Sequence, residues 1–383
     1  MLRVTLLVGS PSKRAHGNAA SRLAVGLAET GQVETTLLCY SRDAPPRWLP
    51  SDVRVHRLSV DRASRSLVGL VRYLRTERPD VLITRQVHAN FVGLAAAWLA
   101  RLPPRWPGRL VIVCDSNVEL AHARNWRDNK WLAKVSYRFA DGMVAPSPTV
   151  RENVVSWCGL KPSSAEVVPN PIPRFSGPVP AAPHPWLLSG AAPVFIHISN
   201  MLPLKRLDLL IDAFADVRNS HDVRLLILGD GRARLDAEEQ IRRLGLTESA
   251  QLVGWIDDPL PYAARAWALV HPSDEEGFAQ VLSEAMSVGC PVIATDAQGG
   301  GPRYVTDNGR YGVLVPRGNR RLLSEAMVQM LRAETRSRYS VLGLQRADTL
   351  SPAASAAALI GFLAGLEPRK RSGRGLTSPA TEA

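Results

Sequence analysis

The strongest constraint on the fold is an alternation between short apolar runs and amphipathic segments. In the first half, VTLLVG, TTLLCY, DVLIT and RLVIVC are separated by helical patterns, among them one through Leu27 and one from Leu67 to Leu74. Short runs that are apolar on both faces are typical of parallel strands covered by helices on both sides. The pattern therefore predicts βαβ units and an α/β fold.

The alternation stops once and then resumes. Residues 169–193 contain eight prolines, which neither a helix interior nor a central strand accommodates. The later strand-like runs are PVFIHIS, VRLLILGDG, AQLVGW, ALVHPS, PVIATD and YGVLVP, with helical patterns at LLIDAFADV, IRRLGL and AQVLSEAMSVG. We predict two doubly wound, Rossmann-like domains that face each other across a cleft, where ligands bind at the carboxyl ends of the strands.

Five segments follow from these changes in pattern. They are an N-terminal domain at 1–175, a Pro-rich linker at 176–193, a C-terminal domain at 194–350, a C-terminal helix at 351–366 that can pack back on the first domain, and a disordered basic tail at 367–383. The tail is polar and rich in Gly, Pro and Ser, which is a composition typical of disorder. A chain of 383 residues is also too long for one ordinary core.

Charge is distributed unevenly along the chain. The net charge of +12 is confined to residues 1–174, which hold 25 Lys/Arg and 13 Asp/Glu, whereas residues 175–383 hold 22 of each. The first half is therefore the part expected to meet an anionic partner. It lacks an aromatic-interleaved basic platform and any recognised nucleic-acid motif, so we expect no nucleic-acid partner.

The cysteines and the apolar runs indicate the compartment. The four cysteines are scattered without metal-type spacing, which fits a reducing cytosol with no disulfide framework. The first apolar run is too short for a signal peptide, and no window approaches 18 apolar residues. We therefore expect no membrane span and a cytoplasmic location.

The segment EEGFAQVLSEAM, residues 275–286, carries the clearest chemistry. Glu276 follows the strand ALVHPS, and Glu284 lies eight positions later in the next helix. An exposed helix start is the simpler interpretation of two such acids taken alone. However, Gly277 permits an unusual turn, and the helix start offers N–H groups to an anion. A sugar nucleotide combines an anionic diphosphate with hydroxyls that carboxylates bind through charge-assisted bonds of about 1.5–3 kcal/mol.

This segment resembles the E-x7-E signature of family 4 retaining glycosyltransferases, which have the two-domain GT-B fold. Further matches follow in family order and extend the resemblance over about residues 3–360. They are ADGMVAPSPTVRENV at 140–154, VVPNPI at 167–172, ISNMLPLKRLDLLIDAF at 198–214, LLILGDG at 225–231, LVGW at 252–255, and GGGPRYV to YGVLVP at 299–316.

The resemblance implies roles for residues at matching positions. Lys205 would neutralise the donor diphosphate, Glu276 would contact the donor sugar, and Glu284 would bind the ribose hydroxyls. The other implied donor contacts are Gly229, Gly231, Asn200 and Arg206 for the nucleotide, and Gly277, Phe278, Gly300 and Arg303 for the sugar and phosphates. For the GDG turn a tight strand-to-helix connection is an equal alternative, and Arg303 is equally well interpreted as an exposed side chain.

Catalysis is assigned to Lys205 and Glu276. The chain has no D-x-D pair of the kind that holds a metal in sugar transferases of the other main fold. The resemblance thus implies a metal-independent reaction without a cofactor. Lys205 would do electrostatically what a metal ion does elsewhere.

Three positions depart from the family pattern. Asn200 stands where an arginine usually precedes the lysine, so Arg206 is a candidate substitute for the missing charge. Ser116 stands where a first-domain histidine usually faces the donor sugar, and Tyr304 follows GPR where a glutamate often stands. We expect these changes to alter the donor or reduce activity without changing the fold.

The acceptor side is assigned to the first domain. The loop after the first strand, SPSKRAHGNAAS, is basic, and His16 and Gly17 would lie near a substrate. Ser116 and His122 complete this set. An exposed surface loop and a helix-face histidine are the alternative interpretations.

A basic helix in the first half has two interpretations. Residues 64–78, SRSLVGLVRYLRTER, combine an apolar stripe with four surrounding arginines: Arg65, Arg72, Arg75 and Arg78. It is either a core helix with a solvated basic face or a helix that docks on an anionic membrane, at about 1 kcal/mol per basic residue.

The predicted function is transfer of a sugar, with retention, from a nucleotide-sugar to a carbohydrate or lipid-linked oligosaccharide in cell-surface glycan biosynthesis. The protein would be cytoplasmic and peripheral at the inner face of the membrane. Asn200 and Ser116 suggest an alternative, a non-catalytic subunit of the same fold that binds the sugar nucleotide.

Overall fold

The computed structural model describes residues 1–10, 14–41, 43–46, 48–58, 60, 63–103, 105–115, 126–172 and 181–366, with the backbone alone at 14–17, 63 and 126–130. The predicted tail at 367–383 and the predicted acceptor residues Ser116 and His122 lie outside this part of the chain.

The first domain is built on a seven-stranded parallel sheet with the strand order β3-β2-β1-β4-β5-β6-β7. Its strands are β1 Leu2–Val8, β2 Val33–Cys39, β3 Arg54–Arg57, β4 Val81–Arg85, β5 Arg109–Val113, β6 Gly142–Ala145 and β7 Ala165–Val167. The helices between them are α1 Arg14–Glu29, α2 Leu67–Thr76, α3 Val87–Ala100, α4 Trp126–Ser136 and α5 Pro148–Cys158.

The two faces of this sheet are covered by different helices. Alternate side chains of one strand enter two separate cores: Leu82 of β4 packs with α2 and α3, whereas Ile83 packs with α1. This double burial explains why the strands read as continuous apolar runs. The strands β3, β6 and β7 were not predicted: β3 (RVHR) and β7 (AEV) contain charged residues and β6 (GMVA) begins with glycine, so none of them forms a long apolar run.

The second domain repeats this architecture with a six-stranded parallel sheet of order β10-β9-β8-β11-β12-β13. Its strands are β8 Val194–Ile198, β9 Arg224–Leu228, β10 Ala250–Gly254, β11 Ala268–His271, β12 Val292–Thr295 and β13 Val313–Val315. Its helices are α6 Leu207–Arg218, α7 Arg234–Arg243, α8 Leu260–Arg265, α9 Gln280–Ser287, α10 Gly301–Thr306, α11 Arg320–Met330 and α12 Ala333–Thr349. The predicted fold class, two doubly wound parallel sheets, is therefore confirmed.

One predicted helix is shorter than its pattern. The sequence IRRLGL, residues 241–246, predicts a helix, but α7 ends at Arg243. Gly245 adopts a positive φ of 68°, which reverses the chain, and Leu246 then enters the core as a loop residue.

The last helix, α13 Pro352–Gly365, returns to the first domain. Its apolar side chains join the core beside α1, and the Arg109 guanidinium donates to the carbonyls of Leu363 and Leu366 at 3.0 and 3.1 Å. The combined stretch Ala333–Gly365 is long and apolar enough, by length and composition alone, to cross a membrane, although we expected no such stretch. Burial of the α13 side chains explains its composition, as for the core helix of a folded domain.

The described part of the Pro-rich linker packs against the second domain. Residues 185–187 form a short 3₁₀ turn, and Leu187 is buried in the same core as Phe278. The Trp186 ring lies 5.0 Å from the Arg224 guanidinium. The linker therefore contains no long helix or central strand in its described part, as its prolines predict.

Candidate active site

The candidate site lies where the carboxyl ends of both sheets meet. Loops after β8, β9, β11 and β12 carry the predicted donor residues, and loops of the first domain lie against them. Ser147, after β6, donates from Oγ to the carbonyl of Gly277 at 2.8 Å. The two domains are thus in direct contact at the site.

Lys205 and Glu276 form an ion pair at the centre of this region. Lys205 ends the 3₁₀ turn Pro203–Lys205 that leads into α6, and Glu276 lies in the loop after β11. The Asp274 amide donates to the carbonyl of Leu204 at 2.8 Å, which joins the two loops. This backbone pairing explains why residues 71 positions apart meet.

His271 is a second hydrogen-bonding neighbour of Glu276. His271 Nε2 lies 2.7 Å from the same Oε1 atom that contacts Lys205. Burial alone would raise the pKa of the Glu276 carboxyl, but Lys205 and His271 outweigh it and lower the pKa to about 2. The carboxylate is therefore ionised at neutral pH.

Glu284 lies on α9 and contacts the other domain. Its Oε1 accepts hydrogen bonds from Arg22 of α1 at 2.8 Å and from Gln280 at 2.9 Å. The Arg22 and Glu284 side chains are both largely shielded from solvent. The predicted ribose-binding carboxylate thus faces the cleft and is paired across it.

Arg206 and Asn200 are placed differently from Lys205. The Arg206 guanidinium is held by Asp208 and Asp274, with its shortest contact at 2.9 Å to Asp208. Asn200 is exposed in the loop after β8. Because Arg206 is already in a carboxylate pair, it offers less charge than an unpaired arginine would, and its role as a substitute for Asn200 stays a prediction.

The GDG turn packs backbone against backbone. A Cβ at Gly229, whose φ is 123°, would lie 1.8 Å from the carbonyl oxygen of Ser199. A Cβ at Gly231 would lie 2.7 Å from the carbonyl oxygen of Met201. The tight strand-to-helix connection therefore accounts for both glycines, and nucleotide contact stays a prediction.

The glycine-rich loop after β12 is wedged between two other segments. The Gly301 amide donates to the carbonyl of Glu276 at 2.9 Å, and a Cβ at Gly300 would lie 2.3 Å from Thr149 Oγ1. These contacts leave no room for larger residues. The loop therefore fixes the backbone of Glu276 through the Gly301 amide and contacts the first domain at Thr149.

The remaining predicted donor-loop residues are not equally accessible. Phe278 is buried in the domain core, with its ring centroid 6.2 Å from that of Tyr304. Arg303 is half-exposed and paired with Asp296. Gly277 borders the cleft, where its carbonyl accepts from Ser147. A contact from Phe278 to the donor would thus have to involve its backbone.

The first-domain acceptor loop is shorter than predicted. Helix α1 begins at Arg14, so His16 and Gly17 belong to its first turn instead of a loop. The apolar stripe of α1, with Leu23 and Leu27 buried against the sheet, continues the helix into the basic segment. The assignment of His16 and Gly17 to a loop was therefore wrong, while their contact with an acceptor stays a prediction.

A buried polar network lies at the same edge of the first sheet. Arg85, at the end of β4, donates to Asp115 Oδ2 at 3.0 Å and to Asn170 Oδ1 at 2.7 Å. Asn170 belongs to the VVPNPI motif, so this motif contributes to the network. Among the described residues, no group of three or more His, Cys, Asp or Glu side chains could hold a metal ion.

Three residues of the site were not predicted. Arg22 gave no signal beyond a charge beside an apolar helix stripe. Ser147 reads as a helix cap before Pro148, yet its side chain bonds the other domain instead of its own helix. His271 is the last residue of an apolar strand, where a histidine is most often a core residue.

Two family models match the chain. The model described as Glycosyltransferase Family 4 matches residues 17–174, and the model described as Glycosyl transferases group 1 matches residues 192–333. Together they span strands β2 to β13, with a gap at residues 175–191 in the linker, and they confirm the resemblance read from the motifs.

Similar proteins support the same family. A phosphatidyl-myo-inositol mannosyltransferase from Mycobacterium leprae is 37% identical over 150 residues, which are 37% of this chain and only 38% of that protein. The lipopolysaccharide core biosynthesis glycosyltransferase LpsE from Rhizobium meliloti is 27% identical over 317 residues, which are 80% of this chain and 82% of that protein.

Solved structures share the fold. Anabaena Alr3699/HepE, crystallised with UDP and glucose, superposes with a TM-score of 0.75 over 96% of this chain and 100% of that chain, at 19% identity. At that identity the comparison concerns the fold alone, and it confirms the GT-B arrangement of two facing Rossmann-like domains.

Proposed function

Because the chain belongs to the glycosyltransferases of family 4 and group 1, we propose that it transfers a sugar from a nucleoside diphosphate sugar with retention of the anomeric configuration. The acceptor is a carbohydrate or a lipid-linked molecule in glycan biosynthesis. The observation that supports this most is the position of Lys205, Glu276 and Glu284 on one side of an interdomain cleft. A cation for a diphosphate and two carboxylates for hydroxyls are the groups that such a donor requires.

The proposed mechanism depends on electrostatics. As the bond between the anomeric carbon and the phosphate oxygen breaks, positive character develops on the sugar and negative charge on the departing diphosphate. Lys205 stabilises that charge. For retention, the acceptor oxygen bonds to the anomeric carbon on the face that the diphosphate leaves, and the acceptor proton passes to the departing phosphate oxygen.

Donor binding must rearrange the pair at the centre of the site. Without a donor, Lys205 is paired with Glu276, and Glu284 with Arg22. The diphosphate competes with Glu276 for the Lys205 ammonium, while each carboxylate can offer its second oxygen to a hydroxyl. We propose that this exchange requires no metal ion, since Lys205 supplies the positive charge.

The first donors to test are uridine and guanosine diphosphate sugars. The Anabaena relative in fold was crystallised with UDP and glucose, and the Mycobacterium leprae relative is named a mannosyltransferase. We propose that acceptors enter from the first domain, beside the α1 start with His16 and Gly17.

A thermal-shift screen tests this function. Wild type is compared with Glu284→Gln in the presence of UDP, GDP and their sugars. Glu325→Gln, at an exposed position of α11, is the matched control. A donor at 100 times its Kd should stabilise wild type and the control by about 2.7 kcal/mol and the Glu284 variant by much less.

The screen is followed by a turnover assay. Release of the nucleoside diphosphate from the stabilising donor, at a rate that EDTA does not change, would support a metal-independent enzyme. Donor binding without even slow donor hydrolysis would instead support the non-catalytic subunit. Stabilisation of the Glu284→Gln variant equal to wild type would exclude the proposed donor site.

We further propose that the first domain docks on an anionic membrane surface. Helices α2, α3 and α4 pack side by side on one face of the sheet. Trp98 and Trp131 are two-thirds exposed on this face, and Arg72 is exposed on α2. Exposed tryptophans and an exposed arginine on one face suit the headgroup region of an anionic bilayer.

Two arginines of the predicted basic face donate to backbone carbonyls of the first domain. Arg75 donates to the carbonyl of Leu99 at 2.9 Å, and thus joins α2 to α3. Arg78 donates more weakly to the carbonyl of Arg105, at 3.3 Å. The docking hypothesis therefore depends on Arg72 and on the aromatic side chains more than on Arg75.

A further inference from the structure

Two buried histidines lie side by side beneath the candidate site. His197 of β8 and His271 of the neighbouring strand β11 are both at most 1% exposed. Their ring centroids are 5.7 Å apart, and the ring planes differ by 16°. The proposed reaction uses neither ring, although buried imidazoles are stable only with suitable hydrogen-bond partners.

The bonds of His197 hold it in one neutral form. Its Nδ1 lies 2.9 Å from the carbonyl oxygen of Val270, which can only accept, so Nδ1 carries the hydrogen. Its Nε2 lies 2.8 Å from Ser199 Oγ and accepts from that hydroxyl. Burial, with a smaller contribution from His271, lowers the pKa of His197 to about 3. His197 is therefore a neutral, fully bonded support.

His271 is bonded on one side only. Its Nε2 lies 2.7 Å from Glu276 Oε1 and 3.0 Å from Ser273 Oγ. Because the carboxylate is ionised and accepts, Nε2 carries the hydrogen. Nδ1 is buried and has no hydrogen-bond partner in the described part of the chain. His271 therefore acts on Glu276 through Nε2. The unpaired Nδ1 makes burial of the ring less favourable.

The Glu276 carboxylate is paired with Lys205 and His271, and in the proposed reaction the donor diphosphate competes for Lys205. The ionisable groups beside its carboxylate are Lys205, from the turn before α6, and His271, from β11, with His197 of β8 behind them. The loop after β12 contributes only backbone groups. When a diphosphate draws the Lys205 ammonium away, Glu276 without a second donor would be left buried and unpaired, and would then take up a proton.

We propose that His271 is a positioning residue: through Nε2 it keeps Glu276 ionised and aimed at the donor sugar while Lys205 turns to the diphosphate. This inference rests on the proposed function of Lys205 and Glu276. The histidine acts through Glu276 and touches neither substrate nor leaving group.

The test compares three variants. His271→Phe removes the donor atom, His271→Gln retains an N–H group, and His197→Gln is the matched control, since His197 is equally buried and stacked but does not touch Glu276. The turnover of the donor found by screening is measured against pH, and kcat and KM are determined separately.

In His271→Phe, the acid limb of kcat/KM should move up by about one pH unit, and kcat should fall about tenfold or more at neutral pH. His271→Gln should restore most of both. His197→Gln should keep the wild-type acid limb even if it unfolds more easily. An unchanged acid limb in folded His271→Phe, or an equal shift in His197→Gln, would overturn the proposal.

A measurement without any donor separates this inference from the function. Because the pKa of folded Glu276 is lowered from 4.5 to about 2, its ionisation stabilises the fold above about pH 4.5, and this stability is lost as the pH falls towards 2. The stability difference between wild type and His271→Phe in urea should therefore shrink on acidification and be smaller in a Glu276→Gln background. A difference of unchanged size in that background would contradict the His271–Glu276 link even if no donor is turned over.

Discussion

At the scale of single residues, Lys205 decides whether the site can neutralise a diphosphate. Its ammonium lies in the pocket wall, largely shielded from solvent, and pairs with Glu276 in the absence of ligand. Charge in such surroundings acts more strongly than at the surface, because water screens it less. Arg206 cannot neutralise a diphosphate in the same way unless its guanidinium leaves Asp208 and Asp274.

Replacing Lys205 with Ala should therefore lower kcat by about 10² to 10³, which corresponds to about 3–4 kcal/mol of transition-state stabilisation. The measurement is steady-state turnover of the donor identified by screening. Lys161→Ala, at an exposed position of the first domain, is the control and should match wild type. Wild-type turnover in the Lys205 variant would remove this residue from the mechanism.

The sequence predicted the residue types of the site better than their partners. Lys205 and Glu276 meet because each follows a strand of the same sheet, and apolar periodicity identified those strands. Arg22 meets Glu284 across 262 positions, a pairing that no local pattern encodes. Arg303 had an equally plausible interpretation as an exposed side chain, and it is in fact exposed.

At the scale of elements, α13 is held on the first domain by an unusually close contact with α1. A Cβ at Gly26 of α1 would lie 2.2 Å from the carbonyl oxygen of Pro352. This glycine therefore allows two helix backbones to approach, a reason unrelated to turn formation. The contact ties the end of the chain to its beginning.

Gly26→Ala should destabilise the protein by about 1–3 kcal/mol, although alanine favours an isolated helix by up to about 1 kcal/mol. Gly361→Ala is the matched control, because Gly361 also lies in a helix but its Cβ would meet nothing within 4 Å. It should stabilise by about 0.5–1 kcal/mol. Urea unfolding measures both changes, and a stabilising Gly26→Ala would show that α1 and α13 are not in close contact.

At the scale of the whole molecule, two kinds of surface lie on the first domain. The cleft edge contacts the second domain through Ser147 and Arg22, whereas the α2, α3 and α4 face points away from that sheet core with exposed aromatic side chains. The excess positive charge of the chain belongs to this domain. An enzyme acting on lipid-linked acceptors would benefit from docking through this face.

Vesicle co-sedimentation tests that surface. The double variant Arg72→Glu with Trp98→Ser should weaken binding to anionic phospholipid vesicles about tenfold or more, since each basic residue contributes about 1 kcal/mol. Arg242→Glu with Trp255→Ser makes the same chemical change on the exposed surface of the second domain and should bind like wild type. Equal loss in both variants, or equal binding to neutral vesicles, would contradict docking through this face.

The sequence alone determined the two parallel sheets, the Pro-rich connection and the carboxylates and lysine that follow particular strands. It could do so because apolar periodicity and turn residues act over a few neighbouring positions. The tertiary structure decided which side chains meet: Arg22 with Glu284, Ser147 with Gly277, and His271 with Glu276. Those pairings depend on how whole domains and loops pack, and the burial that gives each contact its strength exists only after the chain has folded.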